Sequence, residues 1–255
     1  MAWHIFIPDS LLEETRDMKI ATYKVGQIAR AASIFGVEHI WIYNAGGKDG
    51  KFIKLVLQYA ETPQYLRKHL FPIRPELKYA GVIPPLRTPH HKLKGEPHTG
   101  EIREGVIVKK GFADIGLDEL ARVQGDVPKG RGTFKVTSVQ PLRVVPAEPE
   151  EYWGYRVHLT RKSLAKALER AGLDEVIATS RNGEDVRRKR PRLEGEVGIV
   201  FGSPRRGVLE ILRDSNEDYE FDLILNTIPN QKTETVRTEE AVMATLAVFN
   251  FIRRD

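Results

Sequence analysis

Apolar residues run almost unbroken from Ala2 to Ile7, the pattern of a short buried strand that ends at Pro8-Asp9-Ser10. Asp9 or Ser10 is placed to cap the helical pattern that follows. From Thr22 to Phe35 the spacing sets Val25, Ile28, Ala29, Ala32 and Phe35 on one face; Gly36 then stops the helix and Glu38 to Tyr43 reads as another buried strand. Further helices are predicted over Phe52 to Tyr59 and over Thr62 to His69, the second beginning at Pro63. Beyond Tyr152-Trp153-Gly154-Tyr155 the alternation resumes, with a helix over Ser163 to Ala171 and strands over Glu175 to Thr179, Val197 to Phe201 and Phe221 to Leu225. A polar loop and a last helix opening on Thr238-Glu239-Glu240 close the pattern. Strands alternating with helices make the fold class α/β.

The middle of the chain is different. Pro72 to Pro97 is rich in proline and basic residues and reads as irregular. Between Gly100 and Val145, short β-rich runs at Gly105–Val108, Ala121–Val123, Gly132–Val136 and Pro141–Val145 are separated by Gly or Asp, the texture of a small antiparallel barrel. The division predicted is therefore 1–88 and 152–255 for the α/β part, with 89–151 as an inserted barrel.

Composition narrows the chemistry. The 255 residues contain no cysteine, which excludes disulfides, thiolate metal sites and a cysteine nucleophile. No apolar run approaches the ~20 residues of a membrane span, and the start, MAWHIFIPDS, lacks the basic and apolar regions of a secretory signal, so a cytoplasmic location is expected. The formal net charge of +5 is modest, yet the cations cluster: Arg181, Arg187, Arg188, Lys189, Arg190 and Arg192 form one group and Arg87, His90, His91, Lys92, Lys94 and His98 another. Two basic loops flanking one pocket suit a polyanion. The histidines lack accompanying carboxylates at metal-ligand spacing, so no metal is expected.

Three strand-to-loop junctions carry the candidate chemistry: Ala178-Thr179-Ser180-Arg181, Val200 through Gly207, and Leu225-Asn226-Thr227-Ile228-Pro229-Asn230-Gln231. Ligands of open α/β sheets bind outside the carboxyl ends of the strands, so three small or polar tips in succession point to one crevice. Gly202 to Gly207 is not a P-loop, since the Lys-Ser/Thr pair is missing, and no G-x-G-x-x-G element supports a nicotinamide site.

These loops resemble the cofactor segments of the SPOUT class of RNA methyltransferases. Gly26-Gln27-Ile28-Ala29-Arg30 through Val37 is similar to the first motif of TrmH-like members, Phe201 through Leu209 to the second, and Ile228-Pro229 through Ala241 to the third. The phrases beginning at Gly26, Pro63, Pro89, Arg103, Tyr152 and Arg237 resemble, in order, the archaeal and eukaryotic branch with an inserted oligonucleotide-binding-like barrel. The resemblance implies an α/β trefoil-knot domain, a homodimer and S-adenosylmethionine held by Thr179, Ser180, Gly202, Ser203, Asn226, Thr227, Ile228, Pro229, Gln231, Val236 and Thr238. Lys24, Pro204 and Arg237 stand where the TrmH pattern has Asn, Glu and Asn, which turns the expectation from ribose 2′-O-methylation towards N3 of a uridine in large-subunit ribosomal RNA. Arg30 and Arg237 are the candidates to favour the uridine anion, and Glu239 or Glu240 to take its proton. RNA contacts are expected from Arg87, His90, His91, Lys92, Arg187, Arg188 and Arg190. In the barrel Phe112, Phe134, Arg122, Lys129, Arg131 and Lys135 are available, although either phenylalanine suits the core equally. Ribose methylation and a non-catalytic ribosome-assembly factor are the alternatives.

Overall fold

The computed structural model describes residues 2–91, 95–126 and 129–253. In chain order the elements are β1 (Ala2–Pro8), α1 (Met18–Ile34), β2 (Val37–Tyr43), α2 (Gly50–Glu61), α3 (Gln64–Leu70), β3 (Ile102–Lys109), β4 (Phe112–Asp114), β5 (Ala121–Val123), β6 (Arg131–Ser138), β7 (Arg143–Pro146), β8 (Arg156–Leu159), α4 (Leu164–Ala171), β9 (Glu175–Asp185), β10 (Glu196–Val200), α5 (Val208–Asp214), β11 (Leu223–Asn226) and α6 (Thr238–Ile252). They fall into two compact units, one of residues 1–58, 78–84 and 155–255 and the other of 59–77 and 85–154.

The first unit is built on a six-stranded sheet in the order β11-β9-β10-β1-β2-β8, parallel throughout. Parallel sheets are buried on both faces, which is why β1 is an uninterrupted apolar run and buried along its whole length. Phe6, Trp41, Tyr43, Val176, Ala178 and Val200 share one core with Leu164, Ala167 and Leu168 of α4 and Val208, Ile211 and Leu212 of α5. Burying one such Leu or Phe removes its apolar area from water for roughly 1.5–3 kcal/mol. Helices α1 and α6 pack against each other.

Asp9 and Ser10 do not cap α1. The N-cap is Asp17, whose Oδ1 accepts from the Ile20 N–H at 3.0 Å. The first turn, Met18 to Ile20, is exposed, so the apolar periodicity begins only where the helix meets the core. Asp9 instead accepts from the backbone N–H groups of Ala45 and Gly47, at 2.8 and 2.9 Å, and ties the end of β1 to the loop after β2.

The second unit holds a closed five-stranded barrel in the order β3-β4-β5-β7-β6, antiparallel except for β5 beside β7. Ala113, Ile115, Ala121, Val123, Phe134, Val136, Leu142 and Val144 fill it. The predicted boundary at 88/89 differs from this arrangement, because residues 59–77 belong with the barrel. The reason is polar: the Tyr65 hydroxyl donates to the Glu104 carbonyl at 2.8 Å, and His69 Nε2 lies 2.8 Å from Asp114 Oδ2.

Beneath the barrel lies a buried ion network. Arg131 holds both oxygens of Glu61, at 2.6 and 2.8 Å, and reaches Glu104 Oε1 through Nε at 2.6 Å. Trp153 Nε1 and Thr133 Oγ1 donate to the second oxygen of Glu104, at 2.7 and 3.0 Å. Burial alone pushes the Glu61 carboxyl up, but hydrogen bonds from His90 and Arg131 outweigh it and hold the group down at about 2. Gly154, at φ 98°, closes the network: a Cβ there would lie 2.7 Å from Glu61 Oε1.

Candidate functional site

The carboxyl ends of β9, β10 and β11 open onto a crevice of about 830 Å³, within the range of small-ligand pockets. Thr179, Ser180, Gly202, Ser203, Asn226, Thr227, Ile228, Gln231, Val236 and Thr238 all line it; Pro229 does not. One strand tip alone makes no pocket, whereas three adjacent tips of a twisted sheet enclose one.

The loops are cross-braced by their own polar side chains. Thr238 Oγ1, in the first turn of α6, donates to the Gly202 carbonyl at 3.0 Å. Asn226 donates to the Arg181 carbonyl at 2.9 Å while its Oδ1 accepts from the Ile228 N–H at 3.0 Å. Arg181 reaches the Glu234 carbonyl at 3.1 Å, Thr179 Oγ1 donates to the Val200 carbonyl at 2.8 Å, and Thr227 Oγ1 pairs with Thr245 Oγ1 at 2.7 Å. The Gly202 loop folds on itself, with the Ser203 N–H bonded to the Arg206 carbonyl at 2.9 Å. A Cβ on Gly202 would sit 2.7 Å from that carbonyl oxygen, so only glycine permits the turn. The side chains of Thr179, Asn226, Thr227 and Thr238 are thus spent on shape, and backbone groups and the apolar walls of Val208, Leu209, Ile228 and Val236 share the lining with charged side chains.

The four residues proposed from sequence for the chemistry, Arg30, Arg237, Glu239 and Glu240, stand outside this lining. Arg237 is exposed between Val236 and Thr238, both of which line the crevice, and its backbone N–H is capped by Glu240 Oε2 at 3.0 Å. Glu239 is buried, with Oε1 3.6 Å from the ammonium of Lys24 and Oε2 buried without a hydrogen-bond partner. Arg30 is half-buried on α1. Sequence reasoning missed Arg205, Arg206 and Arg213, which join Arg181 and Lys189 around the crevice. Arg206 pairs with Asp214 at 3.2 Å and donates to the Ala45 carbonyl, and Ser203 Oγ donates to Glu13 at 2.9 Å. The run Pro204-Arg205-Arg206 inside the glycine-bounded loop was the available signal.

Two of the residues expected to meet RNA do not face solvent as cations. His90 is 2% exposed, with Nε2 2.8 Å from the Glu61 carbonyl and 3.0 Å from its carboxylate, so it belongs to the ion network. His91 is held by Thr88 Oγ1 at 2.6 Å, and burial, aided by His90, lowers it to about 4, leaving it neutral. Arg87, Arg187, Arg188 and Arg190 are exposed, Arg187 in an ion pair with Asp185. Lys92 lies outside the described residues. Among the described residues no group of His, Asp and Glu is arranged to hold a metal, and no helix is long and apolar enough to cross a membrane.

A family described as "Putative RNA methyltransferase" matches residues 2–249. The chain belongs to this family of RNA methyltransferases. It is 35% identical to an uncharacterised protein of Haloarcula marismortui, over 96% of this chain and 98% of that one. It is 31% identical to the human 28S rRNA (uridine-N(3))-methyltransferase, over 95% of this chain and 76% of the human protein. Among solved structures it is similar to a "putative RNA methyltransferase of the TrmH family" from Porphyromonas gingivalis, at 12% identity and a TM-score of 0.43, covering 97% of this chain and 59% of that one. The parallel α/β sheet and the five-stranded barrel are the architecture that the SPOUT resemblance implies.

Proposed function

We propose that this enzyme moves the methyl group of S-adenosylmethionine to N3 of a uridine in large-subunit ribosomal RNA, acting as a cytoplasmic homodimer. The observation that carries the reading is the crevice at the ends of β9, β10 and β11, whose loops are braced by Thr179, Asn226 and Thr238. A nucleoside is held between apolar side chains and backbone donors and acceptors, and Val208, Leu209, Ile228 and Val236 stand beside loop backbone in this lining. S-adenosylmethionine, when bound, supplies a methyl group activated on a sulfonium. Similarity to the human uridine-N3 enzyme supports a base nitrogen over a ribose hydroxyl as the acceptor.

The protein's own work is then positioning and proton removal. A guanidinium beside a uridine carbonyl oxygen favours the N3 anion as it forms, a role open to Arg237 next to the crevice. Glu239 offers a carboxylate with one oxygen unpartnered, held in place by Lys24. Helix α1 exposes Met18, Ile20, Tyr23 and Ile34, an apolar set that association with a second copy would cover, and Arg30 on the same helix would then serve the second copy's crevice.

The test is to incubate purified protein with S-adenosylmethionine and unmodified large-subunit rRNA and to analyse the nucleosides by mass spectrometry. 3-Methyluridine is the expected product. Ribose methylation alone, or no product from protein that binds the cofactor calorimetrically, would overturn the assignment.

A further inference from the structure

Both ends of the glycine turn in the crevice wall are fastened to the far end of β2. Tyr43, the last residue of that strand and fully buried, donates its hydroxyl to the Phe201 carbonyl at 2.7 Å. To do so it reaches past β1, which separates β2 from β10 in the sheet. Two residues on, the Ala45 carbonyl accepts from the Arg206 guanidinium, and the Arg206 carbonyl closes the turn by accepting from the Ser203 N–H at 2.9 Å. Ala45 is itself held from its other side, where its N–H donates to Asp9 Oδ1 at 2.8 Å. Phe201, Gly202 and Arg206 line the crevice, whereas Tyr43 and Ala45 stand outside the lining.

These bonds decide which backbone groups the wall offers. Three successive carbonyls at the end of β10 are consumed by hydroxyls from three elements: Val200 by Thr179 of β9 at 2.8 Å, Phe201 by Tyr43 of β2, and Gly202 by Thr238 of α6 at 3.0 Å. In a trans peptide the C=O and the N–H point in opposite directions. With the Phe201 carbonyl turned towards β2, the Gly202 N–H is turned towards β9, the side of β10 on which the crevice opens. Among the described residues that N–H makes no backbone hydrogen bond. Burial, with Asp9 adding to it, pushes the Tyr43 phenol well above its usual range, so it remains a donor at any working pH. We propose that Tyr43 is a positioning residue for the methyl donor: it fixes the Phe201–Gly202 peptide so that the wall offers an N–H, not a carbonyl, to an acceptor atom of the nucleoside, while Arg206 secures the other end of the same turn. The inference rests on the reading of this crevice as the S-adenosylmethionine site.

The test is calorimetric affinity for S-adenosylmethionine, measured with Tm on the full chain. Tyr43→Phe, which keeps the ring in the core and deletes only the hydroxyl, should weaken binding roughly ten-fold. The KM for the cofactor should rise while kcat at saturation stays near wild type. Tyr155→Phe is the matched control, because Tyr155 is also buried and donates to a backbone carbonyl, that of Leu57 at 2.9 Å, outside the crevice lining. It should lower Tm by a similar amount and leave the affinity unchanged, the behaviour that a purely structural tyrosine at 43 would also show. Arg206→Met, at a half-buried position that does not threaten folding, probes the second fastening. It should weaken binding several-fold, and by less when combined with Tyr43→Phe, since both act on one turn. Wild-type affinity in Tyr43→Phe, an equal loss in Tyr155→Phe, fully additive losses in the double variant, or, should Tyr43→Phe not fold, wild-type affinity in Arg206→Met would each overturn the inference alone. Absence of binding by the wild type would remove the cofactor reading and this inference with it.

Discussion

Replacing Arg131 by Met should destabilise the protein more than any other single change of a charged residue in the barrel unit, and should reverse its response to acid. Among the described residues Arg131 is the sole guanidinium ion-paired with two buried carboxylates, Glu61 and Glu104, whose side chains are 9% and 6% exposed. In the wild type Glu61 sits at about 2 against an ordinary 4.5; at 1.36 kcal/mol per pH unit that shift is worth about 3 kcal/mol. Because the folded value is depressed, the contribution is complete above the ordinary value and is lost as pH falls from 4.5 towards 2. Removing the guanidinium leaves two uncompensated charges, a change that typically costs 3–5 kcal/mol, or roughly 10 °C in Tm for a chain of this size. In Arg131→Met burial then raises the Glu61 carboxyl, so the variant gains stability relative to wild type as pH falls to ~5 while the wild type does not. Urea unfolding followed by tryptophan fluorescence, run at neutral and mildly acid pH, measures both effects. A variant within about 1 kcal/mol of wild type at neutral pH, or one whose deficit is constant with pH, would refute the account of the network.

Asn226→Ala removes the two bonds that hold the β11 loop to Arg181 and Ile228, and should weaken S-adenosylmethionine binding roughly ten-fold by calorimetry with little change in Tm; an unaltered affinity would show that the bracing is idle. Arg30→Ala should cut turnover while cofactor affinity stays near wild type, and mixing it with a crevice variant such as Gly202→Val should restore part of the activity if the site is shared between two copies; no restoration would place Arg30 with its own crevice. His39 is lowered to about 4 by burial, with His4 and His158 adding to the effect, so its neutral form stabilises the fold fully above 6.5 and that stability fades as pH falls from 6.5 to about 4. The group is half exposed, and a discounted loss of about 1–2 kcal/mol is expected; His39→Gln should flatten the dependence of Tm on pH in that window, and an unchanged slope would remove His39 as its source.

The buried strands and the larger helices were legible because each leaves a continuous or 3.6-periodic apolar trace, as β1 and α1 do. The crevice was legible for a related reason: polar residues directly after buried strands have to lie at sheet ends. What escaped has weak or misleading local pattern. The second half of β9, from Ser180 to Asp185, is polar and becomes a strand only through pairing with β11, at Leu225 opposite Glu184 and Asn226 opposite Asp185. Strands β4 and β8 are three and four residues long, too short for alternation to register. Helix α5 is a seven-residue element following a glycine loop, and it borrows its stability from the core shared with α4. His90 was misplaced because a Pro-His-His run in a basic, proline-rich stretch looks solvent-facing, and its true partner, Glu61, lies twenty-nine residues upstream in another element. Only the folded chain reveals such a pairing.

The chain passes between its two compact units four times, at residues 58/59, 77/78, 84/85 and 154/155. The barrel is therefore no cassette that two cuts release. Grafting 89–151 onto another scaffold would strand Asp114 without His69 and Lys68, and would orphan Glu104 and Arg131 from Glu61, so a transplantable module has to carry 59–77 along with the strands. In descent, too, such an element is gained or shed only together with the helical preface that neutralises it.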